Sequence, residues 1–281
     1  MVVEPCRSIV VRAGLQPAQA FQATADDTAD RAKHSLSPHL LFLLRRQQSR
    51  RVLLDLSAIE AKEMPMNERI APRQQHVSND VLDQYREISA STIGHLTESG
   101  YLPGIRPVSE GARLVGNVVT VRVDLPDGSI LRDALINSEP GDVLVVECAG
   151  DAHCACWGEL RTLAGLIKGL AGVVVSGAVT DVAALREHGL PVFSRAISAV
   201  TTRSLGESGA LNSPIRIGEV TVQPGDIAIG DDDGVFIMSA QQACQMLPEL
   251  LAKERADRAR REELLERLVE KRMNVSKRFI G

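Results

Sequence analysis

The chain has 281 residues, 44% of them hydrophobic and 24% charged, with a formal net charge of −4 and a pI near 5.9. That length suits one ordinary domain with appendages, or two small ones, and can bury a core of its own. The mildly acidic balance gives no electrostatic footprint for direct nucleic-acid binding, and no apolar run reaches the ~20 residues that a membrane helix needs.

Aromatic residues are scarce, with one Trp, two Tyr and five Phe, so the core must come from Val, Leu, Ile and Ala. The five cysteines, Cys6, Cys148, Cys154, Cys156 and Cys244, are odd in number and lack framework spacing. That argues against a secreted, disulfide-stapled protein and for a cytoplasmic one.

Residues 1 to 77 read as a flexible N-terminal extension outside the catalytic fold. An Ala/Gln/Thr stretch from Gln16 to Ala25, a short apolar patch at Leu40–Leu44 and a basic cluster at Arg45, Arg46, Arg50 and Arg51 alternate without a sustained period. The start lacks the basic and apolar regions of a signal peptide. Asp26, Asp27 and Asp30 weaken a transit-peptide reading, and Met64 or Met66 is an alternative natural start.

From Val77 the signals sharpen into an α/β domain over 78–240. Asn79 or Asp80 caps a predicted helix over Val81–Ile88, and a second helix runs from Ser89 or Ser91 to Glu98, stopped by Gly100. Gly111–Val123 reads as β-rich, ending in the turn Pro126-Asp-Gly128, and Ile130–Asn137 as a short helix. Pro140-Gly-Asp142 is a turn that feeds a strand at Val143–Glu147. The spacing of Leu160, Leu163, Ala164, Leu166 and Ile167 predicts a helix over Trp157–Gly169.

Gly172–Ser176 is all apolar, as strands buried on both faces are. A loop at Gly177–Thr180, a helix over Val182–His188 capped by Asp181 and ended by Gly189, and a strand over Pro191–Ala196 complete a right-handed βαβ unit. Gly218–Val222, the turn Pro224-Gly-Asp226, Ile227–Ile229 and Val235–Met238 read as short antiparallel strands. The region 241–281 is a charged helix and tail, with Leu247, Leu250, Leu251, Leu264, Leu265 and Leu268 as its apolar stripe.

His153, Cys154 and Cys156 invite a zinc reading, but no second ligand pair exists, and small apolar residues entering a helix explain them better. Gly230-Asp-Asp-Asp-Gly234 is read as a turn, because no terminal Glu of a calcium loop follows. His188 is read as a favourable cation at a helix end. No nucleophile elbow, dinucleotide loop or phosphate loop is visible.

Several ordered blocks from about 80 to 281 carry a resemblance. They are Pro107–Val123, Pro140-Gly-Asp-Val-Leu-Val-Val146, Ala155-Cys-Trp-Gly-Glu-Leu160, Gly172–Asp181, Gly189-Leu-Pro-Val-Phe193, Val222–Asp226 and Asp231–Val235. Together they resemble the RraA-like family, which includes 4-hydroxy-4-methyl-2-oxoglutarate and 4-carboxy-4-hydroxy-2-oxoadipate aldolases and the regulator of ribonuclease E activity. The resemblance implies an α/β swivelling-domain fold of β/β/α type, assembled as a homotrimer or hexamer with sites at subunit boundaries.

It also implies a divalent-metal lyase, using Mg²⁺ or Mn²⁺, that cleaves a bond beside a small 2-oxo acid through a pyruvate enolate. Retro-aldol cleavage and oxaloacetate decarboxylation share that enolate. Carried over residue by residue, Asp181 matches the family's metal ligand, whose alternative reading is a plain helix N-cap. Gly158-Glu-Leu-Arg161 matches a helix start whose amides, here of Leu160 and Arg161, hold the substrate carboxylate.

Glu159 is then a base or orders a metal-bound water, its alternative being a first-turn acid favourable to the helix dipole. Glu262 and Glu263 align with acids that complete a neighbouring subunit's metal shell; a solvated helix face is their alternative. The chain departs from the family at Thr180, where Gly-x-Val-Arg-Asp becomes Gly177-Ala-Val-Thr-Asp181. Loss of that positioned charge is expected to cost ~10²–10³ in rate, unless Arg161, Arg195 or Arg203 reaches in. The readings left open are a non-catalytic regulator that binds a ribonuclease, and a family member with altered chemistry.

Overall fold

In a computed structural model of the protein, residues 69–280 are described apart from 75, 152 and 207, with side chains up to Arg272. The extension expected over 1–77 therefore lies outside the described residues as far as 68. The segment from Arg69 onward packs against the domain: Arg69 pairs with Asp133 at 2.8 Å, and Val77 N–H donates to Asn117 Oδ1 at 2.9 Å.

Among the described residues, nine strands form one mixed sheet. Its centre is β2 (Leu114–Asp124), parallel to β3 (Asp142–Ala149); β3 is parallel to β5 (Gly172–Val179), and β5 to β6 (Val192–Ile197). Val, Leu and Ile dominate these strands, and such runs favour a pleated surface covered on both sides. At one edge β1 (Arg106–Pro107) runs antiparallel to β6. At the other, β10 (Ile227–Asp231) and β11 (Gly234–Met238) add antiparallel to β2. Two short strands join from the side: β4 (Ala155–Trp157) on β5, and β7 (Ala210–Leu211) on β2. A separate hairpin pairs β8 (Ile215–Ile217) with β9 (Val220–Val222).

The two edges approach each other. Leu102 N–H donates to Val235 O at 2.9 Å and Ile237 N–H to Gly100 O at 2.8 Å, so the sheet is nearly a closed barrel.

The period of two along each strand sorts the core into layers. Leu114, Val118, Val143, Val145, Val174, Phe193, Ala228, Val235 and Ile237 form the interior cluster with Leu102 and Ile105. The alternate residues Val119, Val121, Val123, Leu144, Val146, Val173 and Val175 meet Ile130, Leu131 and Ala134 of α3 (Ile130–Asn137), together with Trp157 and Leu185. A third cluster packs α1 (Asn79–Tyr85), α2 (Ala90–Gly94) and the start of the C-terminal helix α6 (Ala240–Ile280) against β10 and β11. No described helix is long and apolar enough to cross a membrane.

Two expectations change. The segment Gly177–Val179 is the end of β5 rather than a loop; its alanine and valine are fully buried between β4 and β6. Cys154 and Cys156 do not enter a helix: Cys156 lies in β4, and α4 starts only at Glu159 and runs to Lys168. The apolar side of α4 does not face the core. Thr162 and Gly165 are its buried positions, whereas Leu160 and Ile167 are 81% and 86% exposed.

Candidate active site at the start of α4

β4 and β5 run side by side and end together, Trp157 opposite Val179. Thr180 N–H donates to Trp157 O at 2.9 Å, and the fully buried indole donates from Nε1 to Thr162 Oγ1 at 2.9 Å. The indole thus pins the first turn of α4 to the mouth of β5. The next helix, α5 (Val182–His188), begins immediately after Asp181 and ends at Gly189, whose φ is 75°.

Asp181 holds the N-cap position of α5 but does not cap it. Its backbone is left-handed, φ 54° and ψ 37°, and its side chain makes no cap bond to α5. A capping aspartate has extended φ/ψ, so the plain cap reading is overturned by the backbone itself. A left-handed non-glycine residue costs ~1–3 kcal/mol and concentrates at functional sites. The turn sends the carboxylate back across β4, where Oδ2 accepts the Glu159 N–H at 3.0 Å and Oδ1 accepts the Thr180 hydroxyl at 3.4 Å. The exposed carboxylate therefore lies on the positive end of α4, where an anion is favoured.

Gly158 makes that approach possible. Its backbone is extended and any residue could adopt it, but a Cβ there would stand 2.5 Å from Asp181 Oδ2 and 2.7 Å from Thr180 Cγ2. The first backbone bond of α4 is Thr162 N–H to Gly158 O at 3.0 Å. With the Glu159 amide taken by Asp181, the amides of Leu160 and Arg161 are left without a partner among the described residues, as helix starts dictate. The structure thus brings together Gly158, Glu159, Leu160, Arg161, Thr180 and Asp181.

A further group, which the sequence offers only as a cation at a helix end, joins them. His188 Nε2 lies 3.2 Å from Glu159 Oε1. It closes α5 but faces the first residue of α4, a pairing between helices for which a one-dimensional pattern carries no signal.

Two of the arginines that could stand in at Thr180, Arg161 and Arg195, have their guanidinium groups engaged elsewhere. Arg161 turns away from Asp181 and donates to Cys156 O at 2.9 Å, with Gly128 O and Thr202 Oγ1 at 3.4 Å. Arg195 donates to Ser176 O at 3.0 Å, and Arg203 exchanges backbone bonds with Pro126 and Gly128. Glu262 and Glu263 lie on the exposed face of α6, where Glu263 pairs with Arg260 at 2.6 Å and Arg267 at 3.7 Å.

Among the described residues, no three His, Cys, Asp or Glu side chains are grouped to hold a metal ion. Asp181 makes no ion pair there either; its charge meets the start of α4, the Glu159 amide and the Thr180 hydroxyl. That donor set does not suit zinc, which wants three or four nitrogen or sulfur ligands. It fits a hard cation such as Mg²⁺ or Mn²⁺ that keeps several waters and takes further oxygens from a substrate.

A profile of the RraA-like family, described as Aldolase/RraA, matches residues 78–237. A protein of Halalkalibacterium halodurans named "Putative 4-hydroxy-4-methyl-2-oxoglutarate aldolase" is 31% identical over 64% of this chain and 87% of its own length. One of the same name from Deinococcus radiodurans is 34% identical over 50% of this chain and 86% of its own. Among solved structures, Streptomyces coelicolor RraAS2, titled an unusual member of the RNase ES inhibitor RraA protein family, superimposes with a TM-score of 0.59. It is 26% identical and covers 67% of this chain and all of its own. A profile match over more than half the chain, a covered relative and a shared fold agree: this chain belongs to the RraA-like family.

Proposed function

We propose that the chain is a divalent-metal-dependent lyase that releases pyruvate from a 2-oxo acid, by retro-aldol cleavage of 4-hydroxy-4-methyl-2-oxoglutarate-like substrates or by decarboxylation of oxaloacetate. The observation that carries the reading is the Asp181 carboxylate, without an ion pair among the described residues, strained onto the start of α4 beside two amides that have no partner there. The aldolase names of the two relatives support it.

In this reading the Leu160 and Arg161 amides bind the substrate carboxylate, and the terminus of α4 adds its dipole to that anion. Asp181 holds Mg²⁺ or Mn²⁺, which when bound supplies positive charge beside the developing enolate. Glu159, oriented by His188, takes the proton from the substrate's hydroxyl as the carbon–carbon bond breaks, and returns one to the enolate carbon. Thr180 offers one neutral hydroxyl where the family has arginine, so the retro-aldol rate is low by ~10²–10³ relative to an arginine-bearing site.

The reading includes a cytoplasmic protein and a homotrimer or hexamer. The exposed face of α4, with Leu160, Leu163, Leu166 and Ile167, supports the assembly: it adjoins the site and would be covered by a neighbouring copy. In such an assembly Glu262 or Glu263 of one copy adds to the cation site of the next.

The test is pyruvate release by the purified full chain with Mg²⁺ or Mn²⁺, on both substrate classes, alongside Thr180→Arg. Turnover that rises in Thr180→Arg supports the lyase. No turnover on either class, with cation binding intact, rules out the named activities. The neutral Thr180 and the RraAS2 likeness favour a second reading, a non-catalytic regulator that binds a ribonuclease. Recovery of a ribonuclease by metal-free protein would select it.

A further inference from the structure

Cys148 and Cys156 are far apart in neither space nor chemistry. Cys148 sits near the end of β3 and Cys156 in β4, and their Sγ atoms lie 3.6 Å apart. Gly177 of β5 makes room for this: a Cβ there would stand 2.9 Å from both the Cβ and the Sγ of Cys148. Cys156 is fully buried, while Cys148 is partly exposed at the sheet's end. Cys148 is the more acidic of the two. The Cys156 thiol donates to it, its own burial opposes, and hydrogen bonds from Ser176 and Gly177 add to the lowering. Cys156 goes the other way, pushed up by that same contact and by burial. One thiol is thus poised to attack and the other to resolve, the arrangement of oxidation-sensitive pairs.

We propose that Cys148 and Cys156 form a reversible disulfide on reaction with a peroxide, an oxidation site in the strand that leads to Gly158. The Cys148 thiolate attacks one peroxide oxygen, the O–O bond breaks, and the leaving hydroxide takes up a proton as water. Cys148 is then a sulfenic acid. The Cys156 sulfur attacks Cys148 Sγ, the S–O bond breaks, and hydroxide departs with the Cys156 proton as a second water. Two thiols lose two electrons and two hydrogens, and the peroxide becomes two waters. The sulfurs must close from 3.6 Å to a bond of about 2.05 Å. Cys156 moves toward β3, and with it the carbonyl that holds Arg161 and the Trp157–Gly158 link beneath Asp181. Cys154, fully buried next to the pair, is the internal control.

The experiment uses the full chain, reduced, exchanged into buffer and exposed to hydrogen peroxide, followed by alkylation and peptide mass mapping. The expected result is a Cys148–Cys156 linked peptide lighter by two hydrogens, lost on reduction, with a matching reversible change in the fluorescence of Trp157, the chain's one tryptophan. Cys156→Ser should leave a sulfenic acid on Cys148 that dimedone traps; in the parent chain the same trap should capture little, which needs no variant to fold. Cys148 and Cys156 still alkylatable after peroxide, dimedone trapping at Cys148 in the parent chain, or a bond to Cys154, Cys244 or Cys6 instead would each overturn the proposal.

Discussion

Asp127 follows β2 and Asp181 follows β5, and the two aspartates differ in how fully their oxygens are used. Asp127 is buried and accepts five hydrogen bonds, from the amides of Ser129 (3.0 Å), Leu205 (3.2 Å) and Ser208 (3.3 Å) and the hydroxyls of Ser129 (2.5 Å) and Ser208 (2.8 Å). Burial opposes its charge, but the Ser129 and Ser208 hydroxyls and the Leu205 and Ser129 amides outweigh it and hold its pKa well below the carboxylate range. Asp181 is exposed, has one good bond and one long one, and sits in a strained backbone. A saturated carboxylate has no valence left for a ligand and serves to fasten a loop. An unsaturated one, held at a conformational cost, keeps valence free for a ligand, as the proposed cation site requires.

The comparison breaks most visibly at Asp127. Asp127→Ala leaves three part-buried amides and two hydroxyls without their acceptor and should lower stability by ~2–4 kcal/mol in urea unfolding. The charge on Asp127 stabilises the fold above the ordinary carboxylate pKa near 4, and that contribution drains away as pH falls toward its lowered value. An Asp127→Ala chain should therefore show a flatter acid limb than the parent. Asp181→Asn should do the reverse: turnover falls by ~10²-fold or more, while the urea midpoint scarcely moves, because asparagine tolerates a left-handed backbone and keeps an acceptor for Glu159 N–H.

The two Pro-Gly-Asp turns sharpen the same contrast. Asp142 and Asp226 each accept the amide three residues back, from Glu139 at 2.7 Å and Gln223 at 2.8 Å. Arg73 adds a bidentate clamp to Asp142 at 2.9 and 3.0 Å. Asp226 has no such cation among the described residues, and burial pushes its pKa up to about 6 despite the Gln223 amide. A raised folded-state pKa means a contribution complete below the ordinary value near 4 and lost as pH climbs through 6. Asp226→Asn should thus stabilise the protein by ~1 kcal/mol at pH 7.5, after allowance for partial solvation, and by nothing at pH 4. The smallest effect is expected at His188→Ala, a few-fold loss in kcat with KM unchanged, because Glu159 keeps its place and loses only its orienting partner.

The apolar strands, the helix over Ile130–Asn137 and the βαβ unit were legible because each carries its own period and its own stop signals. The Pro-Gly-Asp segments also read correctly as turns, with Gly141 and Gly225 at φ 89° and 85°. What escaped was long-range. β4 has three residues and exists only because β5 extends past β3 to receive it, so Cys154–Trp157 read locally as a helix start. The resemblance offered candidate residues at the start of α4, but not their arrangement. The N-cap pattern at Asp181 hid a left-handed turn, and the Glu159–His188 contact joins two helices through space. Nor could helical spacing tell that the stripe from Leu160 to Ile167 faces outward.

Manganese binding to the full chain, followed by the loss of the free-ion electron paramagnetic resonance signal, tests the central claim most directly. The parent chain should take up Mn²⁺, and Asp181→Asn, folded to the same urea midpoint, should lose that uptake while Asp226→Asn keeps it. Equal uptake by the parent and Asp181→Asn, or none by either, would show that the strained carboxylate at the start of α4 is not a cation ligand.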